Sequence, residues 1–145
     1  MIRSGSTITM EAWNNKFKPN QDWNHAWGAV PANIIPRKLM GIEPVEPGWK
    51  VFRVKPQLGS LEWANIKTPT IKGTIEVSCR QTPEDYRMEI NVPANTSAIV
   101  ELPKKGNKRP KFTINGKSVK ATEKTNGSYT LPTLSGGRYA VELFF

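Results

Sequence analysis

The sequence predicts a mainly β protein: an antiparallel β-sandwich preceded by a short helical segment. From residue 50 onward, the 145-residue chain carries short runs of alternating apolar and polar side chains. Turn residues separate these runs roughly every 8–12 positions, a pattern typical of sandwiches. Residues 1–43 are instead rich in Trp, Asn and Pro and show no strand alternation after Trp13. A chain of this length can bury a core of its own.

The helical segment is predicted from about Ala26 to Met40. Gly41 follows as the residue that ends it, since glycine readily adopts the left-handed conformation found at helix C-termini. Pro31 and Pro36 lie inside the span, and proline removes a backbone donor and clashes with the preceding turn. The segment must therefore be kinked or consist of two short helices.

The residues from Gly41 to Trp49 are predicted to connect this segment to the sandwich, because two prolines and two glycines favour extended or turn geometry. The strands predicted after the connector are Lys50–Val54, Leu58–Lys67, Gly73–Arg80, Tyr86–Val92, Ser97–Leu102, Lys111–Asn115, Lys117–Ala121, Gly127–Leu131 and Gly137–Phe144.

Turn residues define how these strands connect. Asn115-Gly116, flanked by apolar residues, is the strongest hairpin signal in the chain. Asn126-Gly127 and Gly136-Gly137 predict further turns. Trp49 and Trp63 are predicted to be packing anchors between the helical segment and the sandwich.

The net charge of +9 raises the question of a polyanionic partner. The densest basic run lies between Lys104 and Lys124, around turns and hairpin edges, and its only aromatic residue is Phe112. Edge lysines commonly prevent sheets from aggregating, so a solvated face is favoured over a polyanion site, and no nucleic-acid partner is expected.

The chain has no apolar run close to the roughly 20 residues that span a bilayer, and no membrane partner is expected. Residues 1–6 lack the apolar core of a signal peptide. A soluble protein is therefore expected, while the localisation of a longer parent stays open.

One cysteine, Cys79, excludes an internal disulfide and is expected to be a small core residue. One His and one Cys disfavour a tetrahedral zinc site. No metal and no cofactor is expected.

Three of the five tryptophans and the only histidine lie within the first 28 residues, together with Glu11. Aromatic planes such as Trp13 and Trp27 can stack on the apolar faces of a sugar ring. A carboxylate and the imidazole of His25 can bind its hydroxyls and move protons. Residue type alone leaves two other readings open: Glu11 as an ordinary solvated acid and His25 as a structural residue.

The order of several motifs identifies a family resemblance. The motifs are Thr9-Met10-Glu11-Ala12-Trp13, Asn24-His25-Ala26-Trp27-Gly28-Ala29-Val30, Leu39-Met40-Gly41-Ile42, Pro56-Gln57-Leu58, the run from Thr68-Pro69 to Val77, Val92–Ala98 and Ser135–Tyr139. In this order they resemble the C-terminal part of bacterial α-L-rhamnosidases, glycoside hydrolase family 78. The resemblance covers nearly the whole chain.

The resemblance implies that residues 1–43 are the end of an (α/α)6 catalytic barrel and residues 44–145 a C-terminal β-sandwich domain. It also implies that Glu11 is the general base of an inverting glycosidase, with His25 lining the rhamnose pocket. Trp13 and Trp27 would be pocket walls or packing supports. The general acid of the family lies upstream of the matching part, and Met10 stands where many relatives have Trp.

Three functions therefore stay open. The chain is expected to be a C-terminal fragment of an inverting α-L-rhamnosidase-like enzyme that is inactive alone, so its own status as an enzyme is uncertain. The alternatives are a carbohydrate-binding sandwich without catalysis and a purely structural module. The expected partners are a rhamnose-containing glycan, if the chain is joined to a full barrel, and a second copy bound through the exposed helical segment.

Overall fold

A computed structural model describes residues 3, 5, 6, 8–21, 25–105 and 110–145. The chain divides into two compact units, Met1–Ile35 and Pro36–Phe145. We call them the N-terminal unit and the β unit. Met40 and Ile42 are buried in the core of the β unit, so this unit begins before residue 44. The assignment of residues 1–43 to the end of a barrel stays a prediction.

The predicted helical segment is present as a series of short, different turns. A 3-10 turn at Ala26–Ala29 is followed by the α-helix α1 (Val30–Ile34) and a π-helical turn at Ile35–Leu39. Gly41 follows with φ of +63°, and a Cβ atom there would lie 2.0 Å from the Lys55 carbonyl oxygen. This position therefore requires glycine, as expected for the end of a helix.

Ten strands lie within the described residues of the β unit. They are β1 (Glu43–Pro44), β2 (Val51–Val54), β3 (Trp63–Thr70), β4 (Gly73–Gln81), β5 (Asp85–Pro103), β6 (Lys111–Ile114), β7 (Lys117–Val119), β8 (Thr122–Glu123), β9 (Ser128–Thr130) and β10 (Leu134–Phe144). A 3-10 turn, Pro47–Trp49, separates β1 from β2.

The long strand β5 organises the sheet. Its first half pairs antiparallel with β4 on one side and β10 on the other, and β3 continues the sheet beyond β4. Its second half pairs with β2 and β9. Beyond β10 lie β6 and β7, while β8 pairs with β9 and β1 with β2. The mainly β prediction is confirmed, with one difference: β2 runs parallel to β5, which makes the sheet mixed.

One core lies behind both halves of β5. Tyr86, Met88, Ile90 and Val92 alternate into it from the first half. Further buried side chains come from the second half of β5, from other strands and from the segments between strands: Met40, Ile42, Phe52, Val54, Leu58, Ile75, Val77, Cys79, Ala98, Val100, Leu102, Phe112, Tyr129, Leu131, Leu134, Val141 and Leu143. Cys79 is a buried core residue, as expected, and burial raises the pKa of its thiol to about 11.

Two predicted interruptions are not turns. The predicted strands Tyr86–Val92 and Ser97–Leu102 form the single strand β5, which continues through Pro93. Asn95, at φ of +59°, takes up the irregularity. Gly136-Gly137 lies inside β10, where the register against β5 shifts between Ser135 and Gly137. A bulge in one strand lets a long strand change direction without ending.

The predicted Asn115-Gly116 turn is confirmed as the link between β6 and β7. Both residues have positive φ, 50° and 74°. This is the conformation of the two-residue turn that joins twisted strands.

The segment from Gly41 to Trp49 has the predicted extended and turn geometry, but it is part of the β unit. Ile42 is fully buried, and β1 pairs with β2, so the segment is built into the sheet. Trp49 packs against the core with its ring centroid 6.4 Å from that of Phe52. Trp63 is 62% exposed, so its predicted role as a packing anchor is wrong. It lies on the outer face of β3, where alternation points its side chain away from the core.

Candidate functional site

The two motifs that carry the sugar-site prediction are joined within the N-terminal unit. The Thr9 hydroxyl donates a hydrogen bond to the Gly28 carbonyl oxygen, at 2.5 Å. Gly28 is buried, and a Cβ atom there would lie 2.6 Å from the side chain of Ile8. Only glycine therefore allows the two segments to approach this closely. Glu11 lies two residues after Thr9, and His25 lies three residues before Gly28.

Glu11 has a partner that the sequence did not indicate. Its Oε2 atom lies 2.6 Å from the ammonium of Lys18, and its side chain is 9% exposed. An ammonium at this distance stabilises the carboxylate anion through a charge-assisted hydrogen bond. The pair is separated by seven residues in a segment without regular secondary structure. No helical or strand spacing could have predicted it.

His25 and Trp27 form a stacked pair. Their ring centroids are 3.7 Å apart and their planes are inclined by 16°. The Nδ1 atom of His25 is buried and has no hydrogen-bond partner among the described residues. A buried imidazole nitrogen without a partner retains an unused capacity to bind a polar group.

The two predicted pocket tryptophans are exposed. Trp13 is 93% exposed and Trp27 is 61% exposed. Asp22, Trp23 and Asn24 lie outside the described residues. Besides Asp22, Glu11 is the only acidic residue of the N-terminal unit. The described residues of this unit therefore present one carboxyl group, one imidazole and three exposed aromatic rings, those of Trp13, Phe17 and Trp27.

Two other observations concern cofactors and membranes. Among the described residues, no group of three or more His, Cys, Asp and Glu side chains is placed to hold a metal ion. No described helix is long and apolar enough to cross a membrane.

Comparison with known proteins identifies the β unit. The sequence profile of the bacterial α-L-rhamnosidase C-terminal domain matches residues 41–117. An α-L-rhamnosidase from Alteromonas sp. is 34% identical over 106 residues, covering 67% of this chain and 11% of that protein. An α-L-rhamnosidase from Formosa agariphila is 30% identical over 111 residues, covering 70% of this chain and 12% of that protein.

Solved structures agree with this assignment. The α-L-rhamnosidase from Dictyoglumus thermophilum superposes with a TM-score of 0.78 at 26% identity, covering 100% of this chain and 17% of that chain. The Streptomyces avermitilis α-L-rhamnosidase, complexed with L-rhamnose, shares the fold with a TM-score of 0.73 at 21% identity, covering 97% of this chain and 14% of that chain.

Fold and comparisons together define a class, the β-rich C-terminal domain of a glycoside hydrolase. The chain belongs to the bacterial α-L-rhamnosidase C-terminal domain family. It spans about a tenth of the length of the curated relatives that it matches. The profile match begins at Gly41, so the roles of Glu11, His25, Trp13 and Trp27 stay predictions.

Proposed function

We propose that this chain supplies the water-activating side of an inverting α-L-rhamnosidase site. Glu11 acts as the general base, His25 binds sugar hydroxyls, and Trp13 and Trp27 form the pocket walls. In an inverting glycosidase one carboxyl group protonates the leaving oxygen while a carboxylate activates water on the opposite face of the sugar. The names of the two curated relatives support the substrate class.

The observation that carries this proposal is the hydrogen bond from Thr9 to Gly28. This hydrogen bond holds the segment that carries Glu11 against the turn that follows His25. The proposed general base and the proposed sugar-binding imidazole therefore belong to the same small unit. Lys18 stabilises the ionised form of Glu11, and a general base must be ionised to accept a proton from water.

We also propose that the isolated chain does not hydrolyse rhamnosides. A positioned general acid contributes about 10²–10⁴ in rate, and the resemblance places that residue upstream of the matching part. The isolated chain should give no turnover of 4-nitrophenyl α-L-rhamnoside above that of buffer. Turnover that disappears in the Glu11→Gln variant would contradict this expectation.

The role of Glu11 can be tested in a complete barrel. In a graft, this chain would replace the part of the Dictyoglumus thermophilum enzyme onto which it superposes. The superposition covers 100% of this chain. The graft should release β-L-rhamnose as the first product, seen by NMR. Glu11→Ala should lower kcat by at least about 10²-fold, with azide restoring turnover as the rhamnosyl azide. The exposed Glu62→Gln is the matched control and should keep full activity; an active Glu11→Ala graft would refute the assignment.

The exposed helical segment supports a proposal about partners. Trp27, Val30, Ile34 and Ile35 are each at least 46% exposed. Contiguous exposed apolar surface commonly marks an interaction site. In isolation, this segment mediates self-association. Sedimentation velocity should show a concentration-dependent dimer that the Val30→Glu/Ile34→Glu double variant abolishes; a wild-type monomer at all concentrations would contradict the proposal.

A further inference from the structure

The outer face of the β unit carries a groove of about 490 Å³. It lies across β3, β4, β5 and β10, and none of its lining residues belongs to the N-terminal unit. Its volume falls within the range of small-molecule sites, about 300–1,000 Å³. The groove is therefore large enough for a ligand and separate in sequence from Glu11 and His25.

The floor of the groove is a row of side chains in register across four strands. Asn65 of β3 pairs with Ser78 of β4, which pairs with Glu89 of β5, which pairs with Ala140 of β10. Ser78 and Ala140 are small, so the surface is recessed along this row. Four strands span about 14 Å from first to last, at about 4.8 Å between neighbours. An extended ligand of more than one ring matches this length.

One wall of the groove is a second row of polar side chains. Lys67 pairs with Glu76, which lies beside Asn91, which lies beside Arg138. The Lys67 ammonium is 3.1 Å from the Glu76 carboxylate. Neither Glu89 nor Arg138 has an ion-pair partner in the described part of the chain, so both charged groups can bind a ligand.

Three asparagine amides are oriented by hydrogen bonds that use only one end of each. The Oδ1 atom of Asn65 accepts from the Ser78 hydroxyl at 2.6 Å. The Oδ1 atom of Asn115 accepts from a backbone N–H of β10 at 2.8 Å, and the Nδ2 atom of Asn91 donates to a backbone carbonyl of β4 at 3.4 Å. The opposite end of each amide remains for a ligand. Asparagine is depleted in strands, so its presence within both β3 and β5 at this groove needs another reason.

The charge of the groove indicates the class of ligand. The positive charges of Lys67 and Arg138 balance the negative charges of Glu76 and Glu89. The groove therefore has no net charge, although the whole chain carries a net charge of +9. A groove without net charge in a strongly basic protein does not favour a polyanion. Amides and single charged groups suit hydroxyls, which both donate and accept hydrogen bonds.

An aromatic plane lies beside the groove on the same face. Trp63 precedes Asn65 by two residues on β3, about 7 Å along the strand. It is 62% exposed. An exposed indole can cover the apolar face of a sugar ring while its edge stays in water.

We propose that this groove is a second carbohydrate site, which binds a neutral oligosaccharide independently of the Glu11 site. Trp63 stacks on one sugar ring. Asn65, Asn91 and Asn115 hydrogen-bond to hydroxyls, and Glu89 accepts from them. The proposal does not depend on catalysis by Glu11.

The test is an NMR titration of the ¹⁵N-labelled chain with the neutral disaccharide α-L-rhamnosyl-(1→6)-D-glucose and with heparin. The disaccharide should shift the side-chain amide signals of Asn65, Asn91 and Asn115 and the Trp63 indole signal. The absence of such shifts with the disaccharide overturns the proposal, as does a response at the groove to heparin alone.

Variants separate the groove from the N-terminal unit. Trp63→Ala and Asn91→Ala should each weaken disaccharide binding at the groove about tenfold, the effect of losing one good contact. Ile71→Ala truncates another exposed apolar side chain, on the β3–β4 hairpin, and should leave disaccharide binding unchanged. The ¹⁵N spectrum of each variant reports its fold.

His25→Ala distinguishes this proposal from the proposed function. In this variant, the disaccharide should still shift the NMR signals of the groove residues. Any shifts that it causes in residues 8–28 of the wild type should disappear. If His25→Ala removes the groove shifts while Trp63→Ala does not, the groove proposal is overturned and binding belongs to the N-terminal unit.

Discussion

The two units of this chain differ in what they bury. Every large apolar side chain of the described core belongs to the β unit, where Phe52 and Leu143 are fully buried. The described residues of the N-terminal unit contribute none to it. That unit instead exposes Trp13, Phe17 and Trp27, each by more than 60%. The β unit can thus be stabilised by burial of its own apolar surface, whereas the described residues of the N-terminal unit leave their largest apolar side chains in contact with solvent.

The difference also separates two kinds of functional surface. In the N-terminal unit, aromatic rings and charged groups lie on irregular segments joined by single contacts such as the Thr9–Gly28 hydrogen bond. In the β unit, the groove lies on paired strands above a packed core. Sites on regular elements are held more rigidly than sites on loops. The groove is therefore preformed, whereas the proposed site around Glu11 depends on such single contacts.

The largest expected effect lies in the core. Phe52→Ala should lower the free energy of unfolding by about 3–5 kcal/mol, because it removes a fully buried ring and leaves a cavity. Trp13→Ala truncates a larger ring that is 93% exposed and should change stability by less than about 0.5 kcal/mol. Urea unfolding followed by circular dichroism measures both. If the two variants lost equal amounts of unfolding free energy, the proposed difference in burial between the two units would be wrong.

An intermediate effect is expected at Glu101, a buried carboxylate that accepts from Lys124 at 2.9 Å and lies 3.4 Å from the Lys55 ammonium. Burial by itself raises the pKa of Glu101, but the two ammonium groups outweigh it, so the pKa lies below its ordinary value of 4.5. A lowered folded-state pKa contributes stability above about pH 4.5, which is lost as the pH falls through the folded-state pKa. The Glu101→Gln substitution should therefore lower the free energy of unfolding by about 1–3 kcal/mol at pH 7.

Measurements at several pH values complete this test. The difference between wild type and Glu101→Gln should begin to shrink as the pH falls below about 4.5, where Glu101 of the unfolded chain takes up a proton, and should vanish below the lowered folded-state pKa, where the native carboxylate is protonated as well. Glu123→Gln removes an exposed ion pair with Lys104 and should leave the unfolding midpoint unchanged. A pH-independent difference would mean that packing, not charge, sets the cost at Glu101.

The smallest effect is expected from removing the N-terminal unit. The fragment Pro36–Phe145 keeps every described core residue and should unfold cooperatively. Its free energy of unfolding should lie within about 1 kcal/mol of the full chain, a shift of under about 8 °C in Tm. Calorimetry measures it. A fragment without a cooperative transition would show that the two units form a single folding unit.

Local patterns predicted much of the fold. Met88, Ile90 and Val92 alternate with polar residues within the predicted strand Tyr86–Val92, and all three are buried on one face of it. Asn115-Gly116 identified its hairpin because positive φ is accessible to these residues. The same reasoning placed a break before Ser97, where the structure has one continuous strand. A bulge and a turn use similar residues, and distant pairing partners decide between them.

The candidate sites were predicted less completely. The residues of the N-terminal cluster came from residue type and motif order, but the Lys18 partner of Glu11 did not. Trp63 was predicted to be a packing anchor but is 62% exposed, and the groove beside it was missed. Asparagines within predicted strands were the one available signal, since such strands usually exclude them.

By itself, the sequence determined the mainly β class, the approximate positions of most strands and the residue types that suit a sugar. Only the tertiary structure decided the parallel pairing of β2 with β5, the shift in register between β5 and β10, and the alignment of Asn65, Ser78 and Glu89 into one groove. The physical reason is the range of the forces involved. A side-chain period of two is a local property that fixes which face a residue takes. Which strands lie side by side depends on packing between residues far apart in the chain, which no local pattern contains.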